Sequence, residues 1–111
     1  MIDTIKEENG NLYAALNLAE ANLGNADEFK AELTGLLNQH HKKILLNMEQ
    51  VKYIDSSFLG ALVAALKHAL SLKLDIALVG LQQDVHDLLK LIRLDKVFKI
   101  FGTYEDAVKT D

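Results

Sequence analysis

Asp55-Ser56-Ser57 places a carboxylate and two hydroxyls side by side, and Phe58-Leu59-Gly60 follows. An apolar strand should end here and a long apolar helix begin. The first turn of a helix carries free backbone N–H groups and the positive end of the dipole. A hydroxyl in that place caps the helix, and a phosphate there meets donors and a favourable field. Ser56 therefore has two readings, a structural cap or a phosphorylation site. Ser57 is a neighbouring cap candidate and a second, weaker acceptor. Asp55 either favours the helix dipole or takes part in phosphotransfer geometry. Nucleophilic catalysis is the third chemistry open to a serine, and it needs a general base within hydrogen-bond reach. His68 lies three turns further along the same helix, which is too far at ~1.5 Å per residue. His86 is isolated, so no catalytic residue and no enzyme is expected.

Other chemistries are excluded more simply. His40 and His41 are adjacent, so on a helix they face different ways, and no third ligand is near in sequence. His40 fits an apolar stripe as a packed helix-end histidine, while His68 and His86 read as surface residues. The chain has no cysteine, hence no disulfide framework, no thiol catalysis and no Cys-based metal site. Gly-rich phosphate loops, Gly-x-Ser-x-Gly elbows and His-Glu-x-x-His are missing as well. Neither a metal nor another cofactor is expected.

The elements that must hold Ser56 in place can be read along the chain. The 111 residues suit one domain with one core, over 1–111, and 50% apolar with 25% charged residues is a globular composition. A net charge of −4 without a basic block argues against nucleic acid as a partner. The N-terminal Met1-Ile2-Asp3-Thr4-Ile5-Lys6 lacks a signal-peptide pattern. No apolar run is long enough to span a membrane. A cytoplasmic monomer is the expectation.

Proline is absent, so glycine and asparagine mark the boundaries. Asn9-Gly10 predicts a tight hairpin between a weak strand around Ile2 to Glu7 and a strand in which Leu12, Ala14, Leu16 and Leu18 alternate with their neighbours. Asn25-Ala26-Asp27-Glu28 resembles a helix start with Asn25 as cap. Phe29, Leu33, Leu36, Leu37 and His40 follow at helical spacing, with Lys42 and Lys43 near the negative end. Ile44 to Met48 reads as a buried strand. After Asp55, Leu59, Leu62, Val63, Leu66 and Leu70 form one stripe. Phe58, Ala61, Ala65 and Leu72 form a second, well away from the first. A helix apolar on two faces is either buried on both or docks a partner. Leu74 to Gly80 is a further strand, and Val85, Leu88, Leu89 and Ile92 mark a third helix. A strand over Val97 to Phe101 and a brief helix capped at Thr103 complete the order β-β-α-β-α-β-α-β-α. That order implies an α/β fold, a mixed and mostly parallel sheet with an N-terminal antiparallel hairpin and helices packed on it.

Tyr53-Ile54-Asp55-Ser56-Ser57-Phe58-Leu59-Gly60, set in this order of elements, resembles the STAS domain of bacterial anti-sigma factor antagonists. Val85 to Phe98 is similar to that family's third helix and last strand, as is the ending Phe101-Gly102-Thr103-Tyr104-Glu105-Asp106-Ala107-Val108. The likeness runs from about Leu12 to Val108. It implies a partner switch: the unphosphorylated domain binds an anti-sigma factor that is itself a serine/threonine kinase, phosphorylation releases it, and a phosphatase resets the cycle. Ser56 matches the phosphoserine and Asp55 the acidic residue before it. Glu20 and Asn22 match the acidic loop after the second strand, with Asn22 standing where aspartate is common. Phe58 stands where glycine is usual. It reads either as core packing or, with Ala61, as an anchor for the partner. Some family members serve instead as scaffolds or transporter subunits, so a STAS-type binding module without phosphorylation is the alternative.

Overall fold

A computed structural model describes residues 1–109; residues 110 and 111, the end of the expected domain, lie outside the described part. Asn9 and Gly10 both take positive φ, 53° and 81°, the pair of values a two-residue turn of this hand requires. The turn joins β1 (Ile2–Glu8) to β2 (Asn11–Leu16) in antiparallel register, with Glu8 opposite Asn11 and Ile2 opposite Leu16. Leu12, Ala14 and Leu16 are buried on one face of β2, as their alternation requires. Leu18 lies beyond the end of the strand and packs at the edge of the core.

The remaining elements are β3 (Glu20–Ala21), α1 (Leu23–His40), β4 (Lys43–Asn47), β5 (Tyr53–Ile54), α2 (Ser56–Ser71), β6 (Ile76–Val79), α3 (Gln83–Leu91), a 3-10 turn (Leu94–Lys96), β7 (Lys99–Phe101) and α4 (Tyr104–Lys109). The main sheet has five strands in the order β1-β2-β4-β6-β7, antiparallel at β1–β2 and parallel elsewhere. The mixed, mostly parallel α/β sheet with its N-terminal hairpin is therefore observed. Ile44, Leu46, Ile76 and Leu78 share a core with Phe29, Leu33, Phe58, Leu62 and Val85 from α1, α2 and α3. Leu45, Ala77 and Val79, pointing the other way, pack with Tyr104 and Ala107 of α4. Four-residue runs such as Ile76–Val79 are apolar throughout because both faces of the sheet are covered.

Several boundaries differ from the sequence reading. α1 starts at Leu23 because Asn22, not Asn25, is its cap: Asn22 Oδ1 accepts the Gly24 N–H at 2.9 Å, and Asn25 Oδ1 accepts the Asn22 N–H in return at 2.9 Å. Asparagine serves at either place in this reciprocal arrangement, so the residue types alone do not fix the register. At the other end, His41 takes the left-handed conformation and stops the helix, so Lys42 and Lys43 lie past it and Lys43 opens β4. His40 is half-buried and engages Glu7 of β1 rather than packing as an apolar residue. The expected strand from Val97 shrinks to Lys99–Phe101, since the Val97 and Phe98 N–H groups both turn back to Leu94 O. Leu70 and Ile92 are 55% and 47% exposed, so both helical stripes end one residue earlier than the pattern implies.

Candidate functional site at the Asp55-Ser56 helix start

β5 is two residues long, and its Ile54 is buried while Tyr53 faces solvent. Two residues suffice because β5 pairs in parallel with β3, Glu20 beside Tyr53 and Ala21 beside Ile54. This small pairing, which sequence reasoning missed, brings the Glu20-Asn22 loop against the start of α2. The Asp55 N–H donates to Ala21 O at 3.0 Å and continues the ladder by one bond.

Asp55 then caps α2. Its backbone is extended, and Oδ1 accepts the Phe58 N–H at 2.9 Å. The other carboxylate oxygen, Oδ2, accepts the Leu23 N–H, the first of α1, at 3.0 Å. One side chain thus serves the N-termini of two helices, where a negative charge is favoured twice over. The cap reading of Ser56 is corrected by this geometry: the capping residue is Asp55, and Ser56 is the first residue inside the helix. Ser56 and Ser57 are both exposed. Among the described residues neither hydroxyl has a hydrogen-bond partner.

Packing fixes which side of α2 faces outward. Phe58 is fully buried and stacks on Phe29 of α1, with ring centroids 4.3 Å apart and planes 30° apart. Leu59, Ala61 and Leu62 are buried beside it, and Ser56, Ser57 and Gly60 are left in solvent. Phe58 and Ala61 accordingly belong to the buried core of the chain. Both apolar stripes of α2 are buried except at their C-terminal ends, since Phe58 fills the space against Phe29 while the small Ala65 and Ala69 let neighbouring elements approach closely.

The other candidates fall as follows. Glu20 is exposed beside Tyr53, and its backbone carbonyl accepts the Asn25 Nδ2–H at 3.0 Å. Asn22 is half-buried and spends its side chain on capping α1. Asp55, Ser56, Ser57, Glu20 and Asn22 are thus brought to one place. His68 bonds Asn38 through Nε2 at 2.7 Å, and His86 lines a separate surface groove beside β7. No group of three or more His, Cys, Asp or Glu suited to a metal occurs among the described residues. Among them, too, no helix is long and apolar enough to cross a membrane.

Sequence reasoning also passed over two residues, Leu23 and Tyr53, which stand exposed at 73% and 59% on either flank of Asp55. For Tyr53 the signal was its alternation with Ile54; Leu23 keeps helical spacing to buried Ala26 and is exposed as the first residue of α1.

Comparison with known proteins gives a consistent result. The STAS domain model matches residues 19–107. A Thermotoga neapolitana protein, named as a homologue of a "putative anti-sigma factor antagonist", is 36% identical over 91 residues, which is 81% of this chain and 80% of its own length. The crystal structure of such an antagonist from Thermotoga maritima superposes with a TM-score of 0.77 at 32% identity, over 88% of this chain and 86% of that one. The cell fate determinant SpoIIAA of Bacillus, in its phosphorylated form, shares the fold with a TM-score of 0.72 at 14% identity, over 99% and 98% of the two chains.

Proposed function

The chain belongs to the STAS domain family, and from that premise we propose that it is an anti-sigma factor antagonist controlled by phosphorylation of Ser56. Unphosphorylated, it binds an anti-sigma factor that is a serine/threonine kinase. Phosphorylated, it lets go, and a phosphatase returns it to the binding form. Its work is cytoplasmic binding and regulation rather than catalysis.

The observation that carries the reading is the division of labour between Asp55 and Ser56. Asp55 does the capping, so the Ser56 hydroxyl is exposed and uncommitted at the positive end of a helix. A phosphate added there brings roughly −1.5 to −2 charge and three acceptor oxygens. The helix end tolerates it, so the fold is kept. A partner seated over the same spot must desolvate or repel that charge, at a cost of several kcal/mol in binding. The domain stays folded while the partner leaves. Asp55, Ser57, Glu20 and Asn22 belong to the surface the partner covers.

The test is intact-mass analysis after incubation with ATP and a candidate anti-sigma kinase from the same genome, with Ser56→Ala as control. One added phosphate in the wild type and none in the variant is the expected result. Binding without phosphate transfer replaces the switch with a permanently active antagonist or a STAS scaffold. Neither binding nor transfer sinks the reading for that kinase.

A further inference from the structure

Leu23 and Tyr53 expose large apolar surfaces on the two flanks of the Asp55-Ser56 element. The backbone of each is fixed. The Leu23 N–H is bonded to Asp55 Oδ2 at 3.0 Å, and Tyr53 lies in the β3–β5 pairing two residues before Asp55. Tyr53 also walls a shallow depression of about 170 Å³ that it shares with Lys52, Ile54, Asp84, Val85 and Leu88. Ile54 and Val85 form a buried apolar floor, Leu88 is half-buried, and Asp84 is exposed on the first turn of α3.

The depression is lined by one acid, Asp84, and one base, Lys52, and a second acid, Glu20, neighbours Tyr53 across the β3–β5 pair. Among the described residues neither the Glu20 nor the Asp84 carboxylate has a hydrogen bond or ion pair. An apolar floor, an aromatic wall and an unpaired carboxylate fit a long side chain with an aliphatic stem and a cationic head. Arginine meets all three: its stem lies along Leu88, its guanidinium stacks on the Tyr53 ring, and its fork reaches the Asp84 carboxylate. A nucleic acid or an anionic membrane would be repelled by the same carboxylates.

We infer that the anti-sigma partner docks through a basic-rimmed apolar face, placing an arginine in the Tyr53–Asp84 depression and an apolar contact on Leu23. This rests on the function proposed above and adds where the affinity resides. Ser56 follows Tyr53 by three residues and adjoins Asp55, which bonds Leu23, so a phosphate on it falls close to both anchors. The anchors position Ser56 for the kinase without touching the reacting atoms.

The experiment is calorimetric titration of the anti-sigma kinase into the wild-type protein, Tyr53→Ala, Asp84→Asn and, as a control on the opposite face of the sheet, Glu105→Gln. Both variant positions are exposed, and circular dichroism checks that each protein is folded. Tyr53→Ala should weaken binding by about tenfold or more, as loss of an aromatic anchor does. Asp84→Asn should weaken it by several-fold and flatten its salt dependence, while the control stays within about twofold. In the phosphorylation assay Tyr53→Ala should raise KM and leave kcat near the wild-type value. If the wild type is phosphorylated on Ser56 yet both variants bind within about twofold of it, the docking inference is overturned and the switch stands. If the wild type does not bind the kinase at all, both fall together.

Discussion

Asp55 accepts the backbone N–H of Leu23, 32 residues earlier in the chain, at 3.0 Å, while its second carboxylate oxygen caps its own helix at Phe58. The start of α1 and the start of α2 are thereby fastened to one side chain. Asp55 thus has a structural duty independent of any phosphate. It follows that Asp55→Ala removes two capping bonds and destabilises the fold by about 2 kcal/mol. The midpoint of thermal unfolding falls by roughly 10 °C. Asp55→Asn keeps one acceptor oxygen and loses about half as much. Thermal melts of the three proteins test this, and equal stability of wild type and Asp55→Ala would remove the two-helix cap from the account.

Much of this site was legible before the structure, and the illegible part has a definite cause. Asp55, Ser56 and Ser57 were found because a polar triplet between two apolar segments marks a strand-to-helix boundary. What the sequence reading misplaced was the cap, given to Ser56 with Ser57 beside it, although aspartate caps as well as serine does. The answer came from the β3–β5 pairing, which fixes the Asp55 backbone as extended and its N–H on Ala21 O. Strands of two residues have no periodicity, so that pairing left no pattern to read. The main sheet behaved differently: β2 alternates, the centre of β4 and all of β6 are continuously apolar, and each was located to within a residue or two.

Phe58 makes a second test, because sequence reasoning left it divided between core and partner surface. Its ring lies against Phe29 between α1 and α2 with no exposure. Phe58→Ala should destabilise by about 3–5 kcal/mol, the usual cost of an emptied aromatic site. Phe58→Gly, which restores the residue usual in the family, should cost more, since glycine adds roughly 1 kcal/mol of helix penalty. Urea titration measures both. At temperatures where the variants remain folded, their affinity for the partner should match that of the wild type; a folded Phe58→Ala protein that cannot bind would return Phe58 to the interface.

Tyr104 supplies a pH dependence on the other face of the sheet from α2. It is buried at the start of α4 against the sheet, its ring 4.4 Å from that of Tyr13, and its hydroxyl donates to Glu8 at 3.1 Å. Burial raises the phenol above its ordinary 10.0, and the hydrogen bond to Glu8 and the charges of Glu8 and Glu105 push in the same direction. The neutral phenol is the form the fold prefers. Its contribution is therefore fully present below the unfolded value and is lost as pH rises through the higher folded value. The wild type should lose stability above a pH of about 10 more steeply than Tyr104→Phe, whose curve lacks this ionisation. Denaturation midpoints of the two proteins through the alkaline range decide it, and parallel curves would show that Tyr104 ionises equally in folded and unfolded chains.

The last prediction separates the fold from the switch. Ser56→Asp puts a negative charge at the first position of α2, where the dipole favours it and the Asp55 carboxylate opposes it. Because Ser56 is exposed and makes no hydrogen bond among the described residues, the substitution removes no native contact. Stability should stay within about 0.5 kcal/mol of the wild type. Affinity for the anti-sigma kinase should fall by about 100-fold, the cost of a charge that the interface cannot hydrate. Ser56→Ala, neutral and unable to accept phosphate, should bind like the unmodified protein and remain bound in the presence of ATP. Thermal melts give the first quantity and titration with the kinase the second. A charged variant that binds as well as Ser56→Ala would mean that the partner does not cover Ser56, and the chain would then act as a STAS binding module whose contacts lie elsewhere.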